Sequence, residues 1–274
     1  MTAKLSFMRS KVVFFDLDDT LYHEVDFLKS AYREIASFIE TNYHLQGIYA
    51  EMMGYWLAGE NVFQCLLASH SLHDLTIQDL LLHYRAHVPQ ITLSIETQHT
   101  LEHLHAKGIR MGLITDGRTL TQQNKIAALG IKKYFEEQDI YISESFGSEK
   151  TEGKSFQDVQ QRYGENSEIF YVGDNPKKDF AWPNALGWIT ICLLDDGQNI
   201  HSQQFNVDES CLPQYKIHHI EDLCNHCQQG PLWCVGMQNI WTFLFKKLHQ
   251  TPQTFNIRKR TDFTLHGHID YTKK

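Results

Sequence analysis

Four short apolar runs, each stopping at acidic or hydroxyl-bearing residues, constrain this chain more than any other feature. Residues 11–15 (KVVFF) end at Asp16, Asp18 and Asp19, and residues 109–114 (IRMGLI) end at Thr115-Asp116-Gly117. Residues 139–143 (DIYIS) end at Glu144, and residues 169–172 (IFYV) end at Gly173-Asp174. Compact β-branched and aromatic runs of this kind predict buried strands. Helical patterns over 94–107, 120–129, 156–163 and 177–186 separate or follow them, and Gly108, Gly130 and Gly187 stand where a helix C-terminus favours glycine. Strands alternating with helices predict an α/β fold with a doubly wound parallel sheet. Ligands of such sheets bind beyond the carboxyl ends of the strands, which is where these acids lie. A fifth strand over 189–193, a sixth over 215–218 and a helical turn at 220–223 complete the expected core.

Residues 23–93 interrupt the alternation with three successive helical patterns. Leu28, Tyr32, Ile35 and Ile39 share one face of the first. The second spans 48–68 with a break expected at Gly59, and the third spans 77–87 ahead of Pro89. The expected organisation is a core from 1–22 and 94–224, a helical cap from 23–93 and a C-terminal extension from 225–274. The cap sits in sequence between the first two strands, hence near the mouth of the sheet, with hinges expected near 22–24 and 92–94. Its three basic residues face eight acidic ones, a net charge of −5. Tyr22, Tyr55 and Trp56 are read as core residues before ring-stacking ones.

Phosphoryl transfer to a carboxylate needs an anionic nucleophile, a cation, a proton donor for the leaving oxygen and donors for the equatorial oxygens. The strand ends supply each kind. Asp16 and Asp18 lie two apart at a strand terminus, Thr115 brings a hydroxyl and adjacent backbone N–H groups, Lys150 a positive charge, and Asp174 a further carboxylate for a hard, oxygen-seeking metal ion.

These segments resemble the motifs of the haloacid dehalogenase superfamily: VVFFDLDDTLY the first, GLITDG the second, FGSEK the third and VGDNPKKDF the fourth. The resemblance implies a phosphatase with a helical cap inserted after the first motif and magnesium as cofactor. It implies Asp16 as the nucleophile that becomes a phosphoaspartate and Asp18 as the general acid and base, whose backbone carbonyl joins the metal. Thr115, the N–H of Asp116 and Lys150 would hold the phosphate. Asp16, Asp18 and Asp174 would form the metal site, with Thr20 and Asp179 in support. Lys150 is followed by Thr151 where the family usually has proline, and Lys154 is close by; Phe156, six residues beyond Lys150, selects Lys150. Asp116 stands where the second motif usually carries asparagine, so its side chain is expected to point away from the anion. An acid at position 18 disfavours halide displacement, which needs no proton. Transport-type ATPase members carry lysine there, and this chain lacks membrane spans.

The implied activity is hydrolysis of a small phosphorylated metabolite; a phosphomutase and a catalytically silent phosphometabolite-binding relative are the alternatives. The acidic cap argues against a second phosphate on the substrate, which leaves a sugar phosphate or a nucleoside monophosphate. A formal net charge of −8 argues against nucleic acid as partner. No run reaches the length of a membrane span, and the opening meets acids after four apolar residues, so neither anchor nor signal peptide is expected. Six cysteines without a framework spacing favour a reducing, cytoplasmic location. Cys224 and Cys227 have the spacing of two zinc thiolates, with Cys234 beyond them; unpaired thiols are the plainer reading. In the extension, Met237, Trp241, Leu244 and Leu248 share a helical face, and the segment carries a net charge of +5.

Overall fold

The structure is a computed structural model that describes residues 9–227. The expected helix with Met237 and Trp241, and Cys234, lie outside the described residues. Six parallel strands form one sheet in the order β3-β2-β1-β4-β5-β6. They are β1 (Ser10–Phe15), β2 (Arg110–Thr115), β3 (Ile140–Ile142), β4 (Ser167–Gly173), β5 (Ile189–Leu193) and β6 (Tyr215–Ile217).

The apolar runs are continuous because both faces of the sheet are covered. Val13 and Phe15 of β1 join Phe170 and Val172 of β4 in one core cluster. Val12 and Phe14 join Ile169 and Tyr171 in the other, with Phe156 and Trp188. Gly112 is required by this packing: it pairs with Phe14 across β1 and β2, and a Cβ there would fall 2.2 Å from the Phe14 ring. The helices flanking the sheet are α5 (Ile95–Ala106), α6 (Thr119–Ala128) and α8 (Lys154–Tyr163), with short α7 (Ser143–Phe146) after β3 and α9 (Pro176–Asp179) and α10 (Ala181–Ala185) after β4.

Two elements differ from expectation. The strand expected over 139–143 is shorter at both ends. Asp139 turns inward to Arg110 at 3.0 Å and to the Tyr163 hydroxyl at 2.7 Å, and Ser143 starts α7 while its Oγ accepts the Gly117 N–H at 2.9 Å. The helix expected over 177–186 is split at Phe180 into α9 and α10. Pro183 has no N–H to donate to the carbonyl four residues back, so a continuous helix is broken there.

The insertion holds four helices, α1 (Glu24–Tyr43), α2 (Ile48–Leu57), α3 (Val62–Ser69) and α4 (Ile77–Ala86). The second helical pattern is thus two helices, separated on either side of Gly59. They enclose a hydrophobic cluster of their own that includes Tyr32, Ile35, Ile39, Phe63 and Leu80. The end of α4 rests on α6: Thr121 Oγ1 donates to the Arg85 carbonyl at 2.9 Å, and Asn124 Nδ2 to the Ala86 and His87 carbonyls at 3.2 and 3.0 Å. These bonds satisfy helix-end carbonyls that have no partner within α4. Among the described residues, no helix is long and apolar enough to cross a membrane.

Candidate active site

A cavity of about 470 Å³ opens at the carboxyl ends of β1, β2 and β4. Asp16, Asp18, Thr115, Asp116, Lys150, Asp174 and Asp179 all line it: two follow β1, two close β2, Lys150 stands in the turn before α8, Asp174 follows β4 and Asp179 ends α9. Asp16 directly continues β1, and its backbone N–H still bonds to Val172 of β4 at 2.8 Å. The strand register therefore fixes where its carboxylate stands.

Lys150 lies at the centre. Its Nζ is 2.7 Å from Asp16 Oδ1 and 2.7 Å from Asp179 Oδ1, and the side chain is buried. Burial works against its charge, but Asp16 and Asp179 outweigh that effect and hold its pKa well above the usual lysine value. Lys154 is exposed at the start of α8, and Phe156 packs in the core against Tyr171 and Trp188. Asp179 is fully buried: Lys150 takes one oxygen and the Asn175 N–H donates to the other at 2.8 Å. Gly173 makes room for it, because a Cβ there would fall 2.5 Å from Asp179 Oδ2.

Carboxylate oxygens of Asp16, Asp174 and Asp179 lie within 4.8 Å of one another, all buried. Burial raises the Asp16 carboxyl to about 7, with Lys150 opposing and the Asp179 charge adding to the rise. Asp174 is pushed well above the usual range by burial and then by Asp179 and Asp16. One ammonium among three crowded carboxylates leaves an excess of negative charge, and a hard divalent cation on oxygen donors is the species that relieves it. The residues present therefore fit a divalent metal. Asp179, expected only in support, belongs to this cluster, whereas the Asp18 carboxylate does not.

The Asp18 side chain is held elsewhere. Its Oδ1 accepts from Lys125 Nζ at 2.7 Å and from the Tyr22 hydroxyl at 2.5 Å, and its Oδ2 from Gln122 Nε2 at 3.0 Å. Burial alone would raise its pKa; the Lys125 charge and these three hydrogen bonds outweigh burial and hold the carboxyl below the usual range. Gln122 also donates to Thr115 Oγ1 at 2.6 Å, so one amide joins the ends of β1 and β2. Lys125 stands 3.8 Å from Glu24 and 4.3 Å from the Phe27 ring centroid, both on α1 of the insertion. Tyr22 is thus engaged with Asp18, and Tyr55 with Glu51, so neither hydroxyl is a free edge.

Asp116 Oδ1 accepts the backbone N–H of Lys150 at 3.0 Å, which turns this acid toward the Lys150 loop. Thr115 is buried at the end of β2. Thr20 is buried too, but it faces a second cavity at the base of the insertion rather than the first, and its Oγ1 has no hydrogen-bond partner. Asp19 adopts φ 53°, a left-handed conformation that aspartate tolerates better than most residues. Burial and then the Glu24 charge raise its pKa to about 8.

Gln122 and Lys125 did not stand out in the sequence, nor did Asn199, whose Nδ2 donates to Asp174 Oδ2 at 3.0 Å. For the first two a signal exists: Gln122, Lys125, Ile126 and Leu129 follow the i, i+3, i+4, i+7 spacing of a buried helical stripe, with two polar residues in places that usually hold apolar ones. The candidate zinc thiols have no third ligand group among the described residues, and burial pushes the Cys227 thiol up to about 12.

A parallel sheet whose strand ends gather carboxylates, one buried lysine and a hydroxyl defines a hydrolase site of a particular class. Residues 10–185 match the haloacid dehalogenase-like hydrolase family, and the chain belongs to it. It is 30% identical over 198 residues to the glyceraldehyde 3-phosphate phosphatase of Methanocaldococcus jannaschii, covering 67% of this chain and 85% of that protein. It is 29% identical over 205 residues to the protein of the same name from Methanopyrus kandleri, covering 66% of this chain and 82% of that one. Among solved structures, a haloacid dehalogenase hydrolase of Bacillus subtilis bound to magnesium superposes with a TM-score of 0.55 at 19% identity, over 81% of this chain and all of that one. This last likeness is one of fold.

Proposed function

We propose that this protein is a phosphatase that hydrolyses a small sugar phosphate through a phosphoaspartate on Asp16, with magnesium as cofactor. The observation that carries the reading is the meeting of Asp16, Asp174 and Asp179 with Lys150 in one solvent-connected cavity at the strand ends. Residues 23–93 serve as the cap that shields the reaction, and 1–22 with 94–224 as the catalytic core.

Asp16 attacks phosphorus as the bond to the leaving oxygen breaks. Asp18 gives that oxygen a proton, then takes one from the water that attacks the phosphoaspartate, releasing phosphate and restoring Asp16. In the resting enzyme Asp18 is held ionised by Lys125, so it must take up a proton first; the negative charge of an arriving phosphate favours this. Thr115, the Asp116 N–H and Lys150 hold the equatorial oxygens, with Lys150 also orienting Asp16. Asp16, Asp174, the Asp18 carbonyl and the nearby Asp179 would hold the metal, with Thr20 supporting the loop. Magnesium would offset the repulsion between the phosphate and the carboxylates.

The names of the two archaeal relatives favour a triose phosphate over a nucleotide. The acidic cap favours a leaving group without a second phosphate. The test is a phosphate-release screen over sugar phosphates, nucleoside monophosphates and bisphosphates, with and without Mg²⁺, with Asp16→Asn as control. Magnesium-dependent release from a triose phosphate, lost in the variant, is the expected result. A product that keeps its phosphate would identify a mutase, absence of turnover a binding role, and efficient bisphosphate turnover would overturn the substrate argument.

A further inference from the structure

Between β5 and β6 runs a loop that no motif accounts for. We propose that residues 195–203 form a strap that fixes the Asp174 carboxylate for a divalent cation and ties it to the base of the cap, with Asn199 as the positioning residue. The inference rests on the metal site proposed above.

The strap is built from its own first residue. Asp195 Oδ1 accepts the N–H groups of Gly197 at 2.7 Å, Gln198 at 3.1 Å and Asn199 at 3.1 Å, which closes a tight turn in which Gly197 takes φ 94°. Its far end is pinned by Gln203, whose Nε2 donates to the Asp174 carbonyl at 2.6 Å and to the Leu193 carbonyl at 2.9 Å. The loop is thereby fastened to the ends of β4 and β5 at both sides, and Asn199 projects from a fixed turn.

From that turn the Asn199 amide donates to Asp174 Oδ2 at 3.0 Å. A carboxylate held at one oxygen has its plane set, and partners of this kind orient metal ligands and tune their affinity. The neighbours of Asn199 reach the other way. The Ile200 N–H donates to Asp19 Oδ2 at 3.3 Å, while the Ile200 side chain packs against the hydrophobic cluster of the insertion. Asp196 stands 3.7 Å from His23, where the chain enters the insertion. One short segment therefore touches the Asp174 ligand, the motif loop and the cap.

The test measures cation binding directly on the purified full chain, stripped with EDTA. Mn²⁺ is titrated and followed by the electron paramagnetic resonance of the free ion, without substrate. Asn199→Leu should weaken Mn²⁺ by roughly 10- to 100-fold, the range seen when such an outer partner is removed. Asn199→Ala removes the same amide with less bulk and serves if the leucine perturbs folding. Gln198→Ala, one residue away and without contact to Asp174, should leave the affinity within about twofold, since side chains outside such a shell have little leverage on it. Equal binding by wild type and Asn199→Ala would overturn the inference, as would an equal loss in Gln198→Ala, which would reveal mere loop distortion. Equal binding by wild type and Asp174→Asn would instead remove the metal site on which the inference stands.

Discussion

Protons and magnesium should compete for the same carboxylates, and the competition can be worked through in numbers. In the metal-free protein Asp16 holds its proton up to about pH 7, because burial and the Asp179 charge outweigh Lys150. A cation needs the ionised form, so its affinity falls as pH drops through that value. From pH 7.5 to 5.0, displacement of a single proton with pKa near 7 weakens apparent binding by roughly 80-fold, or about 2.6 kcal/mol. Asp174, also raised, makes the true slope steeper. With magnesium at about 100 times its dissociation constant at pH 7.5, the stabilisation is about 2.7 kcal/mol, and at pH 5.0 it falls to about 0.5 kcal/mol. For a domain of this size the difference is on the order of 4–9 °C in Tm. The sign for the metal-free protein is opposite: a carboxyl raised in the folded state lends stability below its ordinary value of 3.8 and loses it as pH rises toward about 7. Thermal melts with EDTA or magnesium at both pH values are the assay, with Asp16→Asn as the variant that should flatten the dependence. A magnesium shift in Tm of the same size at pH 5.0 and 7.5 would refute the reasoning.

Two further outcomes follow from the same geometry. Lys150→Met strands two buried carboxylates and should cost about 3–5 kcal/mol in EDTA, seen as a Tm lower by roughly 6–20 °C, with a smaller loss at pH 5 where Asp16 can protonate; a cost below about 1 kcal/mol in denaturant melts would contradict it. Asp18→Asn should slow the first turnover of a triose phosphate by roughly 10²- to 10⁴-fold, yet still release one equivalent of p-nitrophenolate from p-nitrophenyl phosphate in a burst before the unassisted water step stalls turnover, since that leaving oxygen needs no proton; an equal loss of the first turnover on both substrates in rapid-mixing assays would count against Asp18 as the acid.

What could be read from the sequence and what could not divides along a physical line. Strands buried on both faces must be written as unbroken apolar runs, and a run that stops at an acid marks its own carboxyl end; Asp16, Thr115 and Asp174 were legible for that reason. Lys150 was reached through its resemblance to a motif, and its burial between Asp16 and Asp179 depends on β4 and α9 folding back beneath it. The interruption at 23–93 was visible as helical periodicity without strands. The split of the last helix was written in Pro183, and the shortened β3 in Asp139, an acid whose partners Arg110 and Tyr163 come from other elements.

The residues that escaped reading share a different property: each acts on a motif acid from a distant part of the chain. Gln122 and Gln123 are neighbours of identical chemistry, yet the first is buried against Asp18 and Thr115 and the second is exposed. Only the face of α6 decides between them, and that face is set by α4 and α1 packing on it. The same helix that steadies Asp18 through Gln122 and Lys125 therefore receives the end of the insertion through Thr121 and Asn124. An insertion that shifts cannot leave α6 without altering the surroundings of Asp18, because Lys125 lies against both Asp18 and Phe27. The placement of the acid and the docking of the insertion are, in this fold, one set of contacts.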